Sequence, residues 1–140
     1  MAVTVSQYNH TARLFAEGSI SASDQFKLLL ATSATFDATN TAISGISYTE
    51  PVDGGYTSGG QALTNVTVTT TFTDDAKFDA DNVVWTAVGT LTASYGILYN
   101  VSAANAPLVF INFGTAESAG PGTDFIVTWA ASGIFSFIVS

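Results

Sequence analysis

Residues 73–82, TDDAKFDADN, gather Asp74, Asp75, Asp79 and Asp81 from a chain with only eleven acidic residues, a density that raises calcium binding as a question. An EF-hand loop needs oxygen ligands at alternating positions, a glycine at the sixth and a glutamate at the twelfth. Counting from Asp79 puts Val83 and Val84 at the fifth and sixth positions and Thr90 at the twelfth, which excludes that loop. A looser calcium site on Asp74, Asp75, Asp79 or Asp81 is one alternative. The simpler reading is a polar connection between two half-buried strands, with Phe78 tucked inward and Asp81 and Asn82 turning the chain before Val83. On that reading the acidic cluster marks a solvent-facing side.

The remaining reactive side chains are few. Cysteine is absent, which removes disulfides, thiolate metal sites and a cysteine nucleophile. His10 is the single histidine, so a histidine metal cluster is excluded and a Ser-His-Asp arrangement would have to use the N-terminal segment. We read His10 as a surface or interface residue. Glu50 with Asp53, or Asp75 with Asp79, could supply the two carboxylates of a glycosidase, but their spacing equally suits solvated loop acids. The glycine-rich VDGGYTSGGQ lacks the Gly-Lys-Ser/Thr end of a phosphate loop and reads as a flexible loop offering Tyr56 for contact. Trp85 and Trp129 fall at alternating apolar positions and read as core; Tyr48 and Tyr56 are the better candidates for an exposed aromatic surface. No catalytic, cofactor-binding or metal-ligating residue is assigned, and no cofactor is implied.

Elements that could position such side chains show a two-residue period. In NVTVTTTFT, Val66, Val68, Thr70 and Phe72 share one face and threonines the other, the pattern of a half-buried strand. NVVWTAV (82–88) and DFIVTWA (124–130) alternate likewise, the second aligning Phe125, Val127 and Trp129. FKLLLA (26–31), YGILYNV (95–101), PLVFINF (107–113) and IFSFIV (134–139) are apolar on both faces, as central strands or strands covered by a partner are. Turn-forming Gly, Pro, Asn and Asp separate the segments. The expectation is a single all-β domain over residues 1–140, an antiparallel β-sandwich or jelly roll of seven to eight strands with one or two short N-terminal helical segments. The helical pieces fall at SQYNHTARLFAEG, where Tyr8, Ala12 and Phe15 recur at helical spacing and Gly18 stops the turn, and at FDATNTAISGI, where Asp37 caps. The apolar C-terminal strand belongs within its own sheet or against a neighbouring chain.

Composition bounds the function. A formal charge of −8 with three basic residues, Arg13, Lys27 and Lys77, offers no basic patch for phosphates and excludes nucleic-acid binding. Only 10% of residues are charged, against about a quarter in an ordinary soluble domain. Such a surface suits either partial coverage by another protein or a merely soluble, hydroxyl-rich β protein. No apolar run approaches the ~18 residues of a membrane span, and the N-terminus lacks the pattern of a secretory or transit segment, so a soluble protein made in the cytosol is expected. The triplets at Asn9, Asn65 and Asn100 match the glycosylation pattern, but Ser and Thr are too common here for that to carry weight.

Taken together, YNHTARLFAEG, ATFDATNTAISGI, GGQALTNVTVTT, AKFDADNVVWTA, APLVFINFG and AGPGTDFIVTWAASGIF resemble, in order and over nearly the whole chain, a family of small tailed-bacteriophage virion proteins. Within it the chain is most similar to capsid cement, or head decoration, proteins. The resemblance implies a dimer or trimer on the outer capsid surface of the virion that bridges neighbouring copies of the major capsid protein, with no catalytic residues. YNVSAANAPL departs from the family pattern in lacking a more acidic turn. Interface candidates are Tyr8, His10, Phe15 and Tyr56, and loss of residues 1–16 is expected to abolish capsid binding while sparing the β fold. The competing readings are a carbohydrate or receptor-binding module of a fibre or tail, and a small glycan hydrolase.

Overall fold

FKLLLA is apolar at every position but one, and a strand of that kind is stable only with both of its faces covered. In the computed structural model, which describes residues 3–52, 54–70, 76–130 and 133–137, this segment lies inside a five-stranded sheet. The elements in chain order are β1 (Thr4–Gln7), α1 (Thr11–Ala16), β2 (Phe26–Ala31), β3 (Ser33–Ala34), a 3-10 turn (Ile43–Gly45), β4 (Tyr48–Thr49), β5 (Gln61–Ala62), β6 (Thr67–Thr70), β7 (Ala76–Asp79), β8 (Val83–Thr86), β9 (Leu91–Asn100), β10 (Ala106–Ala119), β11 (Asp124–Val127) and β12 (Phe135–Phe137). The main sheet runs β1-β10-β9-β2-β5; β8 pairs with β11, β7 with both β6 and β12, and β3 with β4. Every pairing is antiparallel.

Alternation along β2 explains the layering. Leu28 and Leu30 enter a cluster with Phe78, Trp85, Leu98, Ile111 and Phe125, so this face packs on the β8–β11 ribbon and the β6–β7–β12 sheet. Leu29 and Ala31 enter a second cluster with Tyr8, Ile46, Ile97 and Phe110, against which Ile43 and Tyr48 from residues 32–49 also pack. The architecture is thus an all-β, sandwich-like stack whose main sheet is covered on both faces, as the two-sided apolar segments require. Fully burying each such Leu or Ile contributes about 1.5–3 kcal/mol before entropy is set against it.

The short strands behave as their alternation predicts in one layer and not in another. Val83 and Trp85 on β8, and Phe125 and Val127 on β11, all point inward; Trp85 and Phe125 are directly opposed, with ring centroids 6.2 Å apart. In NVTVTTTFT, by contrast, Val66 is half-buried and Val68 is 45% exposed. Its strand spans only Thr67–Thr70, and residues 71–73 lie outside the described part.

The expected count of seven to eight strands becomes twelve among the described residues. β3, β4 and β5 are two-residue bridges, too short to show a period. The acidic stretch is also more than a connection: residues 76–79 form β7, which pairs with β6 in the register Thr67↔Asp79 to Thr70↔Ala76. Phe78 is fully buried, as expected, because the face of β7 that carries it packs on Phe26 and Phe15. The C-terminal strand lies against β7 of its own chain, with Phe135 opposite Phe78.

Of the two helical segments, one is an α-helix of six residues. Its stop is as read: Gly18 takes φ +78° and its N–H donates to Phe15 O at 3.2 Å. The other is the 3-10 turn at 43–45, and Asp37 does not cap it. The Asp37 carboxylate instead accepts from Thr39 N–H (2.9 Å) and Thr39 Oγ1 (2.6 Å), closing a local turn. Those bonds hold its pKa below the usual carboxylate value.

Candidate interaction surface

An irregularity in β10 sets the environment of Tyr8 and His10. Pro107 is paired with Tyr99 and Val109 with Leu98, so Leu108 is an extra residue without a partner in the ladder. Carbonyls at this bulge hold the N-terminal segment. Pro107 O accepts from His10 Nε2 at 2.6 Å, and Leu108 O accepts from both Thr11 Oγ1 (2.8 Å) and Tyr8 N–H (3.0 Å). Tyr8 is 1% exposed and His10 9%. His10, read as a surface or interface residue, and Tyr8, an interface candidate, are instead buried: the bulge carbonyls need donors, and Tyr8, His10 and Thr11 supply them. The expectation that residues 1–16 could be lost with the fold intact is corrected as well, since this segment provides β1 and buries Tyr8 and Thr11.

The Tyr8 ring packs against Phe36 at 5.0 Å, and its hydroxyl has no hydrogen-bond partner among the described residues. Burial first, and the negative charge of Asp37 second, push the Tyr8 phenol up to about 12.

Phe15 is half-buried; its ring meets Phe78 at 5.7 Å. With Ala12, Ala16 and Val68 it borders a shallow apolar depression of about 450 Å³. Of the four interface candidates it is the one on an apolar surface feature.

Tyr56 is not freely available for contact. Its hydroxyl lies 2.5 Å from Glu50 Oε1 and accepts from Leu30 N–H at 3.1 Å. A phenol carries one proton, and the short contact assigns it to Glu50. Glu50 also accepts from Gly59 N–H (2.7 Å) and Ser58 Oγ (2.9 Å), while Tyr99 Oη donates to Gly59 O (2.6 Å). Residues 54–60 are thus packed around the Glu50 carboxylate, and the flexible-loop reading is corrected for them. Gly60 shows how closely the loop approaches β2: a Cβ there would lie 1.9 Å from Leu28 O. Burial and the hydrogen bond to Glu50 push the Tyr56 phenol far above its ordinary value, and burial followed by the Glu50 charge raises Tyr48 and Tyr99. No residue type or spacing in the sequence announces this network, because its members meet only through the fold.

The other candidate chemistry disperses. Asp53, Asp74 and Asp75 lie outside the described residues. Asp79 has Lys77 Nζ at 3.9 Å, and Asp81 accepts from Asn65 Nδ2 (2.6 Å) and Thr64 Oγ1 (3.3 Å). Among the described residues no three His, Asp or Glu side chains converge as a metal site would require. Trp85 is buried as expected; Trp129 is half-buried against the core, its indole N–H donating to Asp81 O at 3.0 Å. Tyr48 is half-buried as well.

What the sequence did not single out is the open side of the stack between β1 and β11. A groove of about 710 Å³ runs there, lined by Val3, Val5, Ile111, Phe113, Ile126 and Trp129 among others. Val3, Val5 and Ile126 are 58%, 48% and 52% exposed. Ile126 stands opposite Val84, another exposed residue, so the outer face of the β8–β11 ribbon continues the apolar surface. An exposed strand-edge valine is a weak signal in sequence because nothing local distinguishes it from a core valine. Among the described residues no helix is long and apolar enough to cross a membrane. Comparison with protein-family models, with curated proteins and with solved structures finds no match to this chain.

Proposed function

We propose that this chain is a structural virion protein that binds the outside of an assembled phage capsid and cements neighbouring major capsid subunits, acting as a dimer or trimer and not as an enzyme. The observation that carries the reading is the exposed apolar surface spanning Val3, Val5, Val84 and Ile126 on a stack of antiparallel sheets. It supports a protein-binding role because three basic and eleven acidic side chains share 7062 Å² of surface, leaving little charge to keep a large face in water. The resemblance to small virion proteins supplies the shell as partner. The work done would be thermodynamic: a protein that binds only the assembled shell lowers its free energy relative to free subunits.

The test is a copy count by quantitative mass spectrometry of purified particles, paired with binding of the isolated protein to shells lacking it. Hundreds of copies per particle and binding to shells but not to free subunits are expected. A handful of copies refutes the cement role and favours a fibre or tail module, which would show saccharide-dependent stabilisation.

A further inference from the structure

The two layers of the stack differ in width. Val5 stands opposite Ile111 across β1–β10, and directly paired residues project from the same face of a sheet. Val5 therefore points to the side on which Ile111 is buried, and so does Val3, two residues earlier. Under Ile111 and Phe113 the second layer is present: Phe113 and Phe125 have ring centroids 6.2 Å apart. Under Val3 and Val5 it is missing, because β11 pairs only with β8 and its other edge carries no strand among the described residues. The groove is the space that one further strand would occupy.

Its charge is one-sided. Glu117 and Asp124 line it, and no basic side chain does. Pairing two copies across this edge would crowd those carboxylates together without a cation in a chain of formal charge −8, which disfavours self-pairing.

We infer that this groove receives an extended segment of a different polypeptide, which adds as a strand to the free edge of β11, lays alternating apolar side chains on Val3 and Val5, and sets Lys or Arg beside Glu117 and Asp124. Main-chain hydrogen bonds to β11 supply affinity and the apolar and basic positions supply selectivity. β11 is four residues long, so the paired stretch spans about 13 Å. The inference rests on the shell-binding reading only for the source of the segment, which would then be an arm of the capsid subunit.

The probe is a capped synthetic peptide, Lys-Val-Thr-Val-Thr-Val-Lys, compared with a version carrying Glu at both ends and one with Pro at the central Val. Calorimetry with the full chain is expected to give micromolar binding of the Lys peptide and at least about tenfold weaker binding of the other two. Amide exchange should slow at residues 124–127. Val5→Asp, and Val3→Asp in case the first perturbs β1, should each weaken the peptide about tenfold or more. Absence of binding, equal binding of the Pro peptide, or protection confined to another edge overturns the inference. So does self-association of the free chain that Val3→Asp abolishes, because the occupant is then a second copy. Shell binding that survives both Asp variants overturns the groove and leaves the shell-binding reading standing. Peptide binding without shell binding does the reverse.

Discussion

Val5 and Ile111 face each other across β1 and β10 and project from the same side of the sheet, yet Ile111 is 2% exposed and Val5 48%. One is core and its neighbour is surface, because the opposing layer ends between them. Ile111→Ala is therefore expected to cost about 2–5 kcal/mol in urea unfolding and Val5→Ala less than about 1 kcal/mol. Equal losses would mean that Val5 is covered.

The unpartnered Tyr8 hydroxyl gives a substitution that should not hurt. Tyr8→Phe keeps the ring on Phe36 and removes a buried polar atom without a partner, so stability should be unchanged or raised by up to about 1–2 kcal/mol. A loss of more than about 1 kcal/mol would reveal a hydrogen bond to that hydroxyl.

Alkaline pH should act through the same residue. The Tyr8 phenol titrates at about 12 in the fold against 10.0 ordinarily, so between those values the unfolded chain has released a proton that the folded chain retains. Stability is then intact below pH 10 and falls as pH rises toward 12, by about 2–3 kcal/mol from this group. Tyr56, Tyr48 and Tyr99 are raised as well and add to the fall. Unfolding measured against pH should show a shallower decline in Tyr8→Phe; identical slopes would contradict the burial of the phenol.

Glu50 should behave as the hub of its loop. Glu50→Ala strips the acceptor from Tyr56, Ser58 and Gly59 and is expected to cost about 1–3 kcal/mol, while Tyr56→Phe costs about 1 kcal/mol. Because the two share one hydrogen bond, the double variant should fall short of the sum by about 0.5 kcal/mol or more. Strict additivity would separate them.

Gly60 and Gly120 make a matched pair. A Cβ on Gly60 meets Leu28 O at 1.9 Å and φ is +83°, whereas Gly120 has nothing within 4 Å. Gly60→Ala should destabilise by more than about 3 kcal/mol or prevent folding, and Gly120→Ala should stay within about 1 kcal/mol. Thermal melts of both would decide it.

How far the fold could be read from sequence depended on the length of each pattern. FKLLLA is apolar enough that only a strand covered on both sides accommodates it, and VVWT and DFIV alternate over enough residues to fix their inner faces. AKFD was hidden because its charged residues dominate a short segment whose single deep anchor is Phe78. The burial of Tyr8 and His10, both interface candidates in the sequence, was not legible because the carbonyls that hold them lie almost a hundred positions away, at a bulge that leaves no mark in composition. The open groove is likewise a property of which layer ends first, and Val3 and Val5 carry no trace of it.

The bulge at Leu108 also dictates an order of events during synthesis. β9 and β10 form a local hairpin, while β1 and α1 must wait for β10, separated from them by 97 positions at the His10 and Thr11 contacts. Local pairings form early and distant ones late. β1 and α1 are thus among the last of these elements to dock, and a nascent chain carries Tyr8 unsheltered until residues 106–119 have left the ribosome.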